Sequence, residues 1–509
     1  MARKPPSTAA TSVAQYPAGR FVPPPGGVSV RMYRQGFGDC FLIAVSAGQG
    51  VFYMVIDCGV IKKPAKDPDF LSKVVRNIRE ETGGRIDALV VTHEHWDHLS
   101  GFSSAKDEWE QFEPGSIREV WAAWTETADD PLAKELGQQR RKAMAFVQRA
   151  MQHFSDPDGA TQSRVRSLSA FFGAAEAGEG RTLKALNYAL SRAKHGGKDN
   201  VRYLKPHGEP LKVAGVEGVR FYVLGPPYDR NLLLKSNPKK GEVYHVANIG
   251  MSLHSALRAA ELRAAGEDIW KGMSREDTDA YVASVPFDRD LWRTWDDVKG
   301  DPFFAPLYVP RHGTKSHPQH WRRIDDDWIG GAAGRLALKL DDHINNTSLV
   351  LAIEIVATGK VLLFVGDAQV GNWESWHKGE WTVPGKTTPV KATDLLQNTV
   401  FYKVGHHGSH NATHKPLGLE KMTDPGLVAV IPTDRQMAAD KRWNDIPFEP
   451  LLAALHERTR GRTIRADRDF PAGTTKKPHK NLSAAEWKTF KTRTTVTPLY
   501  VQHDVPGLK

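Results

Sequence analysis

The sequence predicts a layered α/β domain interrupted by large helical insertions, and three observations predict it. The chain opens in the order strand, strand, strand, helix, strand. A second series of apolar strands returns after residue 334. Several strands in both series end in acids or histidines.

The elements follow in order. "VSVRMYRQG" and "CFLIAVSA" read as strands, with "GQG" as a turn. "VFYMVIDCG" is a strand ending in an acid and a glycine. "LSKVVRNIREETGG" has helical spacing and a glycine stop. "IDALVVTHEH" is a buried strand running into a polar loop. This beginning fits a layered domain with a sheet against helices. Residues 103–200 then read as mostly helical, for example "ADDPLAKELGQQRRKAMAFVQRAMQHF". Residues 211–224 return to strand, turn, strand. Residues 229–330 again read as helical or irregular. The strands "GRLALKL", "TSLVLAIEIVA", "KVLLFVGD", "TVFYKVGHHG" and "LVAVIPT" follow, and "LLAALHERTR" is a helix. The expected organisation is a disordered Pro- and Ala-rich leader over 1–27, one domain over 28–450 with helical insertions at about 103–205 and 229–334, and a basic C-terminal extension over 451–509.

Composition narrows the function. The 509 residues are 40% hydrophobic and 25% charged, an ordinary globular balance. Two cysteines, Cys40 and Cys58, exclude a disulfide framework and an all-cysteine zinc module. They read as reduced thiols of a cytoplasmic protein. No apolar run approaches the roughly 18 residues of a membrane span, and the N-terminus lacks the apolar core of a signal peptide. No membrane partner is expected. The net charge of +10 attracts phosphate backbones, which makes nucleic acid an expected partner. Residues 451–509 hold twelve Lys and Arg against five Asp and Glu, and Arg458, Arg460, Arg462 and Arg465 are the expected phosphate contacts.

The chemistry concentrates in "VVTHEHWDHLSGF", residues 90–102. At a strand end, His93 and His95 point the same way, so two imidazoles converge on one metal. Asp97 and His98 follow at the start of a helix and point to a neighbouring position, as if to a second metal. The zinc-protease pattern H-E-x-x-H fails, because position 97 is aspartate. A merely solvated loop is disfavoured, since four ligand-type side chains just past a buried strand are costly without partners. Distant strand ends supply more ligands: Asp367 after "KVLLFVG", His406 and His407 after "TVFYKVG", and Asp57 after "VFYMVI". His312, His317 and His320 follow no such strand and read as loop. Trp96, Trp124, Trp373 and Trp376 read as packing residues rather than stacking platforms.

H-x-H-x-D-H after a strand, with these other strand-end ligands, resembles the signature of metallo-β-lactamase-fold hydrolases. The forms "QGFGDCFLI", "THEHWDH", "NNTSLVL", "LLFVGD" and "KVGHHGSH" look most like the ComEC-type hydrolase domain and its soluble relatives. The resemblance covers about residues 28–102 and 335–435, with the strands near 211–227. It implies a four-layer αββα sandwich with two metals on one edge. His93 and His95 would bind the first metal and Asp97 and His98 the second, with Asp367 bridging. His406, first off its strand, would complete the second site and leave His407 to hold substrate phosphate. Asp97 and His407 are then the catalytic residues, and Asp57 orients a histidine from behind. His343 in "DDHINNTSLVL" is the nearest candidate for a third first-site histidine. Ser409 and His410 would contact substrate.

That resemblance implies two divalent transition-metal ions, zinc by the histidines or manganese by the mixed ligation, activating a water. Phosphodiester hydrolysis, including nuclease action on DNA or RNA, is the first expectation. Hydrolysis of a choline phosphoester, lactone or thioester under a helical lid stays open, as does a non-enzymatic scaffold.

Overall fold

The computed structural model describes residues 19–48, 50–152, 180–195, 198–235, 241–243, 275, 293, 295–309, 340–441, 443 and 445–507. The first half builds strands β1 (Val28–Tyr33), β2 (Cys40–Ala47), β3 (Gly50–Cys58) and β4 (Ile86–Val91), with helix α1 (Phe70–Glu81) between β3 and β4. Helix α2 (Trp96–Ser104) leads to β5 (Ile117–Ala123). Helices α3 (Pro131–Gln152) and α4 (Arg181–Ser191) precede β6 (Val201–Leu204). Strand β7 (Val219–Gly225) and the short helix α5 (Arg230–Leu233) follow. The second half has β8 (Val350–Ile355), β9 (Lys360–Phe364), α6 (Val370–Trp376), β10 (Thr399–Lys403) and β11 (Val428–Ile431). It closes with α7 (Arg435–Asp440), α8 (Glu449–Arg458), β12 (Thr463–Arg465), α9 (Ala484–Thr492), β13 (Thr494–Val496) and β14 (Tyr500–Val505).

Two sheets result. One is eight-stranded, in the order β13-β14-β1-β2-β3-β4-β5-β6; the other is six-stranded, in the order β12-β11-β10-β9-β8-β7. Each sheet is antiparallel on one side and parallel on the other. Strand alternation sorts the side chains. Phe41, Ile43 and Val45 of β2 enter the core between the sheets with Leu351, Ile353 and Phe364. Leu42 and Ala44 face outward to Leu71, Val74 and Ile78 of α1. On the far side, Val350 and Ala352 meet Trp373, Leu396 and Leu455. Three cores between four layers make an αββα sandwich. Strands buried on both faces read as continuous apolar runs, which is why "CFLIAVSA" and "KVLLF" lack alternation.

Several boundaries differ from expectation. The first insertion is narrower than 103–205, because β5 and β6 inside that range extend the eight-stranded sheet. Residues beyond 450 are not an appendage. β12 joins the six-stranded sheet, and β14 pairs with β1 along its whole length, Val28 opposite Val505 through Tyr33 opposite Tyr500. β14 buries only alternate residues, Val501, His503 and Val505, so its half-polar sequence hid it behind the charge of the region. Three of the expected phosphate-contacting arginines are committed internally. Arg460 pairs with Glu486 at 2.9 Å, Arg465 with Asp467, and buried Arg462 donates to the carbonyls of Thr459 and Pro425.

The expected leader overlaps described structure at residues 19–27, where Phe21 is buried and its N–H donates to the Glu81 carbonyl. Residues 1–18 lie outside the described residues, as do most of 229–334 and His312, His317 and His320. Of "GRLALKL", only its last residue is described, and residues 340–346 form helix rather than strand. Trp124, Trp373 and Trp376 are fully buried. Among the described residues, no helix is long and apolar enough to cross a membrane.

The parallel strands β3, β4, β9, β10 and β11 bring their C-terminal ends to one edge, where irregular loops gather. Glycines let those loops touch. A Cβ on Gly59 would lie 2.4 Å from the Asp97 carbonyl carbon and 2.5 Å from the His98 nitrogen. Gly59→Ala is therefore expected to push the start of α2 off its seat and to cost about 1–3 kcal/mol. Urea unfolding of the two proteins measures this, and an unchanged midpoint would contradict the close packing.

Candidate metal centre

β4 ends at Val91, and Thr92 begins the polar loop. Thr92 is held by Asp57 at the end of β3: its N–H donates to Oδ1 at 2.9 Å and its hydroxyl to Oδ2 at 2.6 Å. Asp57 adopts a left-handed conformation, φ 55°, that a non-glycine residue keeps only when its surroundings enforce it. The hydroxyl of Thr92 has spent its proton on Asp57, so it accepts from His93 Nδ1 at 3.0 Å. That fixes the tautomer of His93 and leaves Nε2 without a proton, 3.0 Å from His95 Nδ1. Asp57 Oδ2 also lies 2.8 Å from His98 Nδ1, which turns His98 Nε2 into the site.

Four ligand atoms converge there. His98 Nε2 is 3.2 Å from Asp367 Oδ2 and 3.8 Å from Asp97 Oδ2. His407 Nε2 is 2.7 Å from Asp97 Oδ2 and 3.8 Å from Asp367 Oδ2. His407 Nδ1 donates to the Pro432 carbonyl at 2.6 Å, so its Nε2 is the nitrogen that can take a cation. Asp97 Oδ1, His98 Nε2 and Asp367 Oδ2 are buried without a hydrogen-bond partner among the described residues. The orphaned His98 Nε2 and Asp367 Oδ2 face each other across 3.2 Å with Asp97 and His407 beside them, and such imidazoles and carboxylates are the donor set of a divalent transition metal.

Asp39 also belongs to this group. Ligand-type atoms of Asp39, His98, Asp367 and His407 all lie within 4.8 Å of one another. Asp39 Oδ2, however, is 2.5 Å from Lys403 Nζ, a buried ammonium that also donates to the Gly366 carbonyl at 2.6 Å and to Asp367 Oδ1 at 3.2 Å. Asp39 thus serves Lys403, and Lys403 holds Asp367 by one oxygen so that the other faces the metal position. Asp39 Oδ1, like Asp97 Oδ1, is buried without a hydrogen-bond partner among the described residues, so either carboxylate has an oxygen to offer the site.

Electrostatics agree. Burial opposes charge on His98, but the carboxylates of Asp367, Asp39, Asp97 and Asp57 outweigh it and raise its pKa well above normal. Burial is likewise outweighed at His407, chiefly by its bond to Asp97. Burial keeps His93 and His406 neutral and pushes His95 down to about 3. Asp367 is held well below the usual carboxylate range, against its burial, by His98 and Lys403.

The structure gathers His93, His95, Asp97, His98, Asp367, His407 and Asp57. His407 stands where His406 was expected, opposite Asp97. Both residues are left-handed, φ 42° and 52°, and that sharp turn carries the second imidazole inward. His406 stays at the rim, its N–H on Asp367 Oδ1 at 2.8 Å and its Nδ1 2.9 Å from Ser409 Oγ. His410 lies beside Phe448, their ring centroids 6.2 Å apart. His343 does not join the group. It lines a cavity of about 30 Å³ with Leu136, Arg140 and Leu233. The acid two residues earlier, Asp341, comes nearest instead, 3.7 Å from His95 Nε2 and 4.0 Å from His406 Nε2. Sequence reasoning passed over Asp39, Asp341 and Lys403. Two of them left a signal: Asp39 lies in "QGFGDCFLI", and Lys403 is a lysine closing an apolar strand. His414 forms a separate group with Glu242 and Glu374, where the Lys235 ammonium already sits against Glu374.

Residues 33–169 match the family model of the metallo-beta-lactamase superfamily. That segment contains His93, His95, Asp97 and His98, and the superfamily is one of metal-dependent hydrolases. The match stays at superfamily level. No curated protein matches the chain.

Protons on His98 and His407 occupy the nitrogens a metal needs. Their raised pKa values mean that metal affinity climbs as pH rises through them, and that loading releases protons. Zinc titration calorimetry at neutral pH, repeated in buffers of different ionisation enthalpy, is expected to show net proton release. Absence of release would show that neither imidazole becomes a ligand.

Proposed function

We propose that the protein is a metal-dependent hydrolase that cleaves phosphodiester bonds with a water nucleophile, acting on nucleic acid. The observation that carries the hydrolase reading is the convergence of Asp97, His98, Asp367 and His407, three of which, Asp97, His98 and Asp367, keep a buried ligand-type atom without a hydrogen-bond partner among the described residues. Those four would hold one divalent ion, and the imidazoles of His93 and His95 start a second position. Zinc suits the imidazoles and manganese the mixed set. When bound, such ions supply Lewis acidity and a lowered pKa for water.

The chain's own residues do the rest. Lys403 keeps Asp367 charged and oriented. Asp57 keeps Thr92, and through it His93, in the required tautomer. His406 is the least buried of the imidazoles around the centre. If Ser409 donates to Asn411 Oδ1, as their 2.7 Å separation indicates, Ser409 accepts from His406 Nδ1 and the unprotonated Nε2 turns toward substrate. There it is placed to accept the proton released by the attacking water and to return it to the departing oxygen.

The phosphodiester reading is supported by the ComEC-like motifs, by the +10 charge, and by one local feature. Phe37 packs its ring 4.0 Å from that of His407, and its carbonyl accepts from the Ile61 N–H. Ile61 opens "IKKPAK", whose Lys62, Lys63 and Lys66 are exposed. Three ammonium groups thus follow directly from a residue hydrogen-bonded to the wall of the site. The family-level match supports the hydrolase class and leaves the substrate to be tested.

Metal-supplemented assays with bis-p-nitrophenyl phosphate, single- and double-stranded DNA and RNA test the reading. Asp97→Ala and Asp367→Ala are expected to lose metal and to fall to the activity of chelated protein while staying folded. Activity within tenfold of wild type in both would place the chemistry elsewhere. Neutralising Lys62, Lys63 and Lys66 together is expected to weaken DNA binding and reduce its salt slope by about 0.9 for each phosphate no longer neutralised. Turnover of the small phosphodiester is expected to stay unchanged. Hydrolysis of lactones or thioesters with no phosphodiester turnover would transfer the site to small-molecule chemistry.

A further inference from the structure

We infer that Arg140, on helix α3 of the first insertion, is a positioning residue for the metal loop, holding Glu94 so that His93 and His95 converge. The inference rests on the metal-centre reading above and concerns a residue outside that centre.

Glu94 stands between the two histidines. With His93 and His95 turned into the site, the residue between them must point away. Its side chain is nearly buried, 12% exposed, and it meets Arg140 Nη1 at 2.5 Å. Arg140 is itself 8% exposed and also lies 3.6 Å from Glu126 Oε2, in the turn after β5. Glu126 is 5% exposed and accepts from Thr125 Oγ1 at 3.0 Å. One guanidinium therefore joins the metal loop, the end of β5 and helix α3.

Arg140 occupies an apolar stripe. Ala133, Leu136, Arg140 and Ala143 are the buried residues along that face of α3. An apolar residue there would pack without desolvating a charge. Burying a cation against two carboxylates stabilises little in net terms. What it provides is direction, because a guanidinium fork fixes the carboxylate it meets. The carboxylate it meets belongs to the residue whose backbone separates His93 from His95. The His95 N–H donates to the His93 carbonyl at 3.1 Å, so this loop is a tight turn in which a rotation at 94 moves both imidazoles.

The anchor is itself held. α3 packs through Ala133 and Leu136 on Trp124 and on Leu233 of α5. The Leu233 carbonyl accepts from Asn346 Nδ2, and Asn346 Oδ1 accepts from the N–H of Asn372 in α6. The insertion is braced against the segment that precedes β8 and the helix that follows Asp367. It is built into the support of the centre.

The test is metal affinity, measured by competition with a chromogenic zinc chelator and needing no substrate. Arg140→Met leaves two buried carboxylates facing each other and risks misfolding, so it is paired with two variants. Glu94→Gln keeps the size of the side chain and weakens the ion pair. The combination of Arg140→Met, Glu94→Gln and Glu126→Gln removes all three charges together. The expected result is folded Glu94→Gln and triple-variant protein with zinc affinity lowered by about 10–100-fold, and Arg140→Lys in between. A folded triple variant with wild-type affinity overturns the inference, since a purely structural cation would change thermal stability and leave affinity alone. Wild-type protein that binds no metal would instead refute the metal-centre reading itself.

Discussion

Four carboxylates, those of Asp39, Asp57, Asp97 and Asp367, are buried together at one edge of the sandwich, beside Asp341, whose burial and acidic neighbours push its pKa well above normal and favour its neutral form. So much negative charge in a dry rim is tolerable only with cations. Lys403 is one, and it is consumed by Asp39 and one oxygen of Asp367. The remaining demand falls on His98 and His407, whose raised pKa values show the carboxylates drawing protons onto them. In metal-free protein, the raised pKa values of His98 and His407 favour protons on those two imidazoles. The rest of the structure is arranged so that a divalent ion takes their place.

That constraint explains the architecture around it. The candidate ligands lie just past the C-terminal ends of parallel strands, Asp97 and His98 in the first turn of α2 and Asp367 and His407 in the loops after β9 and β10. The strands are buried on both faces, so the ligand-bearing ends are as rigid as the core. Three of the five described non-glycine residues with positive φ, Asp57, His406 and His407, lie in the rim, with His207 and Arg460 outside it. Well-packed sheets can hold three such residues, whereas isolated loops would relax them.

How much of this was legible in the sequence follows from range. H-x-H-x-D-H is a local pattern: period-two spacing sends His93 and His95 one way, and the following turn sends Asp97 and His98 to the next position. Strand ends at Asp57 and Asp367 were readable because an acid abruptly ends an apolar run. The choice between His406 and His407 was not readable, because a left-handed turn at two non-glycine residues decides it. Asp39 and Lys403 lie 364 residues apart in the chain and explain each other only once both sheets are built. β14 was lost for a different reason: "YVQHDV" buries one face only, and the surrounding lysines and arginines dominated its reading.

The helical insertion shows the same difference between pattern and structure. By sequence, α3 is a polar, basic helix following the metal motif, and overhanging the site would be its natural role. Its buried arginine instead ties the helix to Glu94 in the metal loop and to Glu126 after β5. A lid needs freedom to move. A helix pinned by an ion pair to the residue between two ligands, and by apolar packing to α5, has little. The described part of the insertion is better understood as the foundation of the centre. Beside the rim, His406 is the least buried of the imidazoles around the centre, and the loop carrying the exposed Lys62, Lys63 and Lys66 begins.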